Sequence, residues 1–129
     1  MIAADTNIFV RLVTNDDPVQ AKRASQVLRR TQVFVPKTVV LEMEWVLRYA
    51  YGLKRPAILT ALRGILGLPN VIPEDPLHIE RAVEWYEAGL DFADAIHLAS
   101  SEGTTRFVTF DTRLWKRARR IGTPGVVRA

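Results

Sequence analysis

Asp5, Glu42, Asp94 and Asp111 are acids in apolar company. Asp5 follows Ile2-Ala3-Ala4 and precedes Thr6-Asn7. Glu42 lies in Val39-Val40-Leu41-Glu42-Met43-Glu44-Trp45, Asp94 in Asp91-Phe92-Ala93-Asp94-Ala95-Ile96, and Asp111 closes Phe107-Val108-Thr109-Phe110. One such acid is a helix cap. Four, spread from one end of the chain to the other, suggest a cluster assembled by folding. Clustered carboxylates repel, and they either take up protons or hold a cation. All-oxygen ligation favours a hard divalent ion such as Mg²⁺ or Mn²⁺.

Each acid also has a plainer use. Asp5 and Asp111 can cap the helices that follow them. Asp91 and Asp94 form a capping pair, with Asp91 as the cap and Asp94 in the first helical turn. Glu42 is the hardest to explain structurally, because burial in its apolar run without a partner costs several kcal/mol (roughly 2–7) by typical magnitudes. Glu44 is expected to face solvent or to pair with Arg48 at the i, i+4 spacing. Thr6 and Asn7 are suited to holding a carboxylate or a bound water, and the Thr109 hydroxyl can bond the Asp111 carboxylate or a substrate phosphate. His97, alone on an apolar helix, reads as a hydrogen-bonded core residue and not as a ligand. Arg113 and Lys116 lie near Asp111 in sequence and are candidates for nucleic-acid phosphates. With Arg117, Arg119 and Arg120 they otherwise make a solvated basic face. Trp45, Trp85 and Trp115 read as core or interface anchors.

The elements that must position these residues alternate. Ile2–Ala4, 33–35, 70–73, 107–109 and 125–127 read as short strands. Helices are expected over 6–14 (Ile8, Phe9, Leu12 and Val13 on one face), from Pro18 to about Arg30, and from Pro36 to about Tyr51 with Gly52 as its C-cap. Further helices are expected over 56–66, 75–88, from Asp91 to about Gly103, and over 112–121. Strands alternating with helices predict a mainly parallel twisted sheet covered on both faces, a three-layer α/β/α fold. Sites in such folds form at the carboxyl ends of strands, where Asp5 and Asp111 fall.

The chain has 129 residues, enough for a single domain over 1–129. It carries no cysteine, which excludes disulfides and thiolate metal sites. No apolar run approaches the ~20 residues of a membrane span, and no basic leader opens the chain, so a cytoplasmic protein is expected. Lys and Arg number 18 against 14 Asp and Glu, for a net charge of +4. Withdrawing four acids into a site leaves a more basic surface, which favours polyanions or simply aids solubility.

Asp5-Thr6-Asn7-Ile8-Phe9-Val10, Val35-Pro36 followed by Leu41-Glu42 and Glu44-Trp45-Val46-Leu47-Arg48, Gly89-Leu90-Asp91-Phe92-Ala93-Asp94-Ala95, and Thr109-Phe110-Asp111 together resemble PIN-domain proteins. In detail they resemble VapC-type toxin ribonucleases of type II toxin–antitoxin pairs. The resemblance covers essentially the whole chain. It implies an α/β/α fold and an acidic site for Mg²⁺ or Mn²⁺. Carried over by motif, the family's acids fall on Asp5, Glu42, Asp94 and Asp111, and Thr109 matches the Ser or Thr often found two residues before the last acid. Where some members carry a further acid, this chain has Arg113 and Lys116. The resemblance further implies a homodimer and a cognate VapB-like antitoxin that silences the toxin.

The expected activity is therefore a metal-dependent endoribonuclease, in which water, activated by the cation, attacks the phosphodiester. Two other readings use the same residues. Asp5 could be the nucleophile of an aspartyl-phosphate phosphotransfer or phosphatase domain. Alternatively the acids are caps and surface charges on a non-catalytic nucleic-acid or partner-binding module.

Overall fold

Each short apolar run of the sequence becomes a strand, and each helix starts where a capping residue or a proline permits. The computed structural model describes residues 1–123 and 125–129; Pro124 lies outside the described residues. Along the chain come β1 (Ile2–Ala3), α1 (Thr6–Thr14), α2 (Pro18–Arg30), β2 (Val33–Val35), α3 (Lys37–Tyr49), α4 (Arg55–Leu66), β3 (Val71–Pro73), α5 (Pro76–Glu87), α6 (Phe92–Ala99), β4 (Phe107–Thr109), α7 (Thr112–Ile121) and β5 (Val126–Arg128). The chain divides into two compact units, Met1–Pro76 and Leu77–Ala129.

In the first unit β2 is the middle strand of a parallel sheet ordered β1-β2-β3, with Ile2 opposite Val33 and Val33 opposite Val71. Val33, Val35 and Val71 are buried, as parallel strands covered by helices require, but β1, expected from its apolar run to be a buried strand, is an edge strand with Ile2 and Ala3 exposed. Phe9 and Val10 of α1, Leu28 of α2, Met43 and Leu47 of α3, and Ile58 and Leu62 of α4 complete the core. The buried face of α1 is turned from the one expected: Thr6, Phe9 and Val10 are buried, whereas Val13 is exposed. Asn15, in the left-handed region at φ 50°, ends α1 and donates its N–H to the Arg11 carbonyl. Pro36 precedes α3 without a side-chain cap. Glu74, just past β3, supplies the acceptor instead, taking the Lys37 N–H at 2.9 Å. The C-cap of α3 is Ala50, not Gly52.

In the second unit β4 and β5 pair in parallel, Phe107 opposite Val126 and Thr109 opposite Arg128. Ile79, Val83, Phe92, Ile96, Leu98 and Leu114 are buried, and Tyr86 meets Phe92 edge-on with ring centroids 5.0 Å apart. Helix α6 is shorter than expected. It ends at Ala99, with Ser100 as its C-cap, and turns lead to Gly103. Among the described residues no helix is long and apolar enough to cross a membrane.

Candidate active site

The four acids occupy two local settings, one in each unit. In the first, Asp5 lies two residues past the carboxyl end of β1 and N-caps α1. Its Oδ1 accepts only the adjacent Thr6 N–H, at 2.6 Å. A regular cap bonds the second or third amide of the helix, so capping uses Asp5 poorly. Thr6 is 2% exposed and its hydroxyl donates to Glu42 Oε1. Asp5 and Glu42 are thus tied to one another through Thr6. Asn7 is exposed on the following turn.

Burial on α3 is the reverse of the sequence expectation. Glu42 is exposed, and Glu44 is the buried acid at 2% exposure. Glu44 pairs with Arg48 as expected, through Arg48 Nε at 2.8 Å and Nη2 at 3.1 Å, but it does not face solvent. The reason is helical phase. Val40, Met43, Glu44 and Leu47 are spaced i, i+3, i+4, i+7 and share the buried face. Glu42 lies off that face, so the burial cost that made it conspicuous does not arise.

In the second unit Asp91 caps α6, accepting the Asp94 N–H at 3.1 Å, as expected. That leaves the Asp94 side chain without a structural task. Its pKa is raised, first by partial burial, then by the like charges of Asp91 and Asp111, with His97 opposing. Asp94 and Asp111 therefore feel one another. His97 is exposed, contrary to its expected core position, because Phe92, Ala95, Ile96 and Ala99 form the buried face of α6. Asp111 lies two residues past β4 and caps α7. Both cap bonds, from the Arg113 and Leu114 amides, go to Oδ1. Thr109 turns its hydroxyl to the Asp111 backbone, accepting that N–H at 2.9 Å, and so fixes the strand-to-helix turn.

Every one of the four acids keeps an oxygen that accepts no hydrogen bond among the described residues: Oδ2 of Asp5, Oε2 of Glu42, both oxygens of Asp94 and Oδ2 of Asp111. The oxygen-only donor set fits a hard divalent cation in its chemistry. Among the described residues no three acidic or imidazole groups converge closely enough to hold a metal ion by themselves.

Arg113 and Lys116 are exposed on α7 and meet no carboxylate among the described residues. Their neighbours are used locally. Arg119 stacks over Trp115 at 4.8 Å and Arg128 over the same ring at 4.3 Å, while Arg117 Nη1 donates to the Gly89 carbonyl. Trp85 and Trp115 are half-buried, but Trp45 is 54% exposed on α3 beside Tyr49, with ring centroids 5.2 Å apart.

Two cavities of the first unit matter. The larger, about 860 Å³, is apolar, lined by Leu12, Val13, Leu28, Ala61 and Ile65 among others, and holds none of the four acids. The smaller, about 400 Å³, is of mixed polarity and runs from Asp5 and Asn7 along α1 to Gln20 and Arg23 of α2. Sequence reasoning missed these α2 residues. The signal was available, since Gln20, Arg23, Ala24 and Val27 repeat at i, i+3, i+4, i+7 and so line one helix face.

The family model described as PIN domain matches residues 2–121, the first unit from Ile2 and the second up to the end of α7. A comparison with curated proteins gives no match. Parallel strands alternating with helices are the α/β class that this family shares.

Proposed function

This chain belongs to the PIN domain family, and on that premise we propose that it is a Mg²⁺- or Mn²⁺-dependent endoribonuclease, the toxin of a type II toxin–antitoxin pair. PIN domains are generally nucleases that use divalent metals and bind nucleic acid. Asp5, Glu42, Asp94 and Asp111 are assigned as the metal-holding and catalytic carboxylates of one domain spanning 1–129. The observation that carries the reading is the open oxygen on each of the four, with Asp94 held against its own ionisation by burial and by Asp91 and Asp111. Capping accounts for Asp91 and Asp111; it accounts for neither Asp94 nor Glu42. Carboxylates brought close together repel one another unless they are protonated or share a cation.

When bound, the divalent cation supplies a water activated for attack at phosphorus and offsets charge on the leaving oxygen. The chain's own residues do the rest. Asp5 and Asp94 would be the principal ligands, with Glu42 and Asp111 completing the set. Thr6 holds Glu42, and Thr109 holds the turn that presents Asp111. A carboxylate of the set would take the proton from the attacking water. Water as nucleophile does not use the ribose 2′-OH, so the products carry a 5′-phosphate and a 3′-hydroxyl. Arg113 and Lys116 bind RNA phosphates.

A VapB-like antitoxin and a second copy of the chain are the proposed protein partners, and the cytoplasm the proposed compartment. The apolar cavity beside α1, α2 and α4 supports the docking of a partner segment. The exposed Trp45–Tyr49 pair on α3 supports self-association, since exposed aromatic rings are favoured in interfaces. Incubation of single-stranded RNA with purified protein tests the activity. Cleavage is expected with Mg²⁺ or Mn²⁺, and none is expected with EDTA or in Asp5→Asn and Asp94→Asn. Metal-independent cleavage, or full activity in either variant, overturns the assignment.

A further inference from the structure

The groove between α1 and α2 has a composition that metal chemistry does not explain. Besides Asp5 and Asn7 it is lined by Ile8 and Arg11 of α1 and by Gln20, Arg23, Ala24 and Val27 of α2. Its second basic residue, Arg11, is already committed. Arg11 Nε donates to Gln20 Oε1 at 2.8 Å, and Nη1 donates to Asp16 and to the Tyr51 hydroxyl, each at 3.0 Å. The Asp16 carboxylate, held below its ordinary pKa first by the Tyr51 hydroxyl, offsets that charge. Arg23 has no such partner. It is exposed and meets no carboxylate among the described residues.

The bond from Arg11 also sets the Gln20 amide. Its oxygen is occupied, so the side-chain NH₂ remains as a donor toward the groove. Beside the Asp5 carboxylate the groove therefore offers one uncompensated guanidinium, amide donors at Gln20 and Asn7, and apolar surface from Ile8, Ala24 and Val27. A guanidinium suits a phosphate, amides suit base edges, and apolar surface suits the faces of unpaired bases. Gln20 to Val27 advances about 10 Å along α2, room for a short stretch of single strand. The volume, about 400 Å³, lies in the range of sites that enclose small ligands.

We propose that this groove is the track for the single-stranded RNA flanking the scissile phosphate, with Arg23 on a backbone phosphate and Gln20 and Asn7 on the bases beside it. The inference rests on the nuclease reading, because Asp5 is where the track meets the chemistry.

The test uses two measurements on the full chain. In an Asp5→Asn background, which binds without cutting, affinity for a fluorescent single-stranded oligoribonucleotide is measured against salt. Adding Arg23→Ala is expected to lower the log–log salt slope by about 0.7, the loss of one single-strand phosphate contact. The advantage of Arg23 then shrinks roughly 2.6-fold as salt rises from 50 to 200 mM. Arg30→Ala, the same charge change at the end of α2 and outside the groove, should leave both slope and affinity in place. In the cleaving protein Arg23→Ala is expected to raise KM with kcat held, the mark of binding shared by ground and transition states. Equal effects of Arg23→Ala and Arg30→Ala overturn the track, as does no effect of Arg23→Ala or no RNA binding in the Asp5→Asn protein. The two readings fail separately. Cleavage with an indifferent Arg23 removes only the track, while an Arg23-dependent salt slope without any cleavage removes only the nuclease.

Discussion

Asp111 does two things with two oxygens, and substitution separates them. Oδ1 takes both cap bonds of α7, at 2.9 and 3.1 Å, while Oδ2 accepts no hydrogen bond among the described residues and is open to the proposed cation. Asn retains a carbonyl oxygen for the cap and is as good an N-cap as Asp; Ala retains nothing. Loss of the cap costs about 1 kcal/mol, within a range of 0.5–2. Loss of the negative charge at the helix N-terminus costs a further ~0.5 kcal/mol, screened by salt. A chain of 129 residues unfolds with an entropy of about 0.27 kcal/mol/K, so 1 kcal/mol moves Tm by about 4 °C. Asp111→Ala is thus expected to lower Tm by about 5–6 °C, and Asp111→Asn by about 2 °C, less in high salt. Both variants should lose metal-dependent RNA cleavage. Differential scanning calorimetry and an end-labelled RNA assay read the two effects side by side. Equal destabilisation by Asn and Ala refutes the capping geometry; an Asp111→Asn protein that still cuts RNA normally refutes the metal role of Oδ2.

Other substitutions probe the supporting contacts. Thr6→Val removes the hydroxyl that holds Glu42 and is expected to cost about 1 kcal/mol and to slow cleavage, whereas Thr6→Ser, which keeps the donor, should restore most of the rate. Arg48→Ala withdraws the i, i+4 partner of buried Glu44 and should destabilise by about 2 kcal/mol, below the ~3–5 of a fully buried pair, since the Arg48 side chain is 38% exposed; thermal unfolding measures it. Asp94, whose pKa lies above its ordinary 3.8 in the folded chain, stabilises the metal-free protein only while protonated. Its contribution is full below the unfolded pKa and is lost as pH rises through the folded one. Asp94→Asn should therefore overtake the wild type in Tm as pH climbs out of the acid range without metal, and a parallel pH profile for the two would remove the burial and like-charge repulsion inferred at Asp94.

Much of the fold is legible in local chemistry. Asp17-Pro18 fixes the start of α2, Asp91 that of α6 and Asp111 that of α7, because a side-chain acceptor and a preset φ act within a few residues. The strand at Val33–Val35 is legible because only a continuous apolar run suits a strand covered on both faces. What misleads is treating sequence neighbours as spatial neighbours. Glu42 looks buried because Val39, Val40, Leu41 and Met43 surround it in the sequence, yet the helix turns it away and brings Glu44 onto the face of Val40 and Leu47. His97 is misjudged for the same reason. Asp5 and Asp111 lie just past strand ends, as the sequence suggests, but nothing local shows that Thr6 bridges to Glu42, 36 residues away. The repeat of Gln20, Arg23, Ala24 and Val27 shows that they share a face of α2, but not that Asp5 and Asn7 line the same groove.

Thermal stability of the apo protein with and without Mn²⁺, measured for the wild type and for Asp5→Asn, Glu42→Gln, Asp94→Asn and Asp111→Asn, tests most directly whether distant acids serve one cation. At a hundredfold excess over Kd, ligand binding stabilises by about 2.7 kcal/mol, which for this chain is a rise in Tm of about 10 °C. The wild type is expected to show that rise, and each of the Asp5 and Asp94 variants to lose most of it. A wild type indifferent to Mn²⁺, or an undiminished rise in either variant, contradicts a metal shared by Asp5 and Asp94.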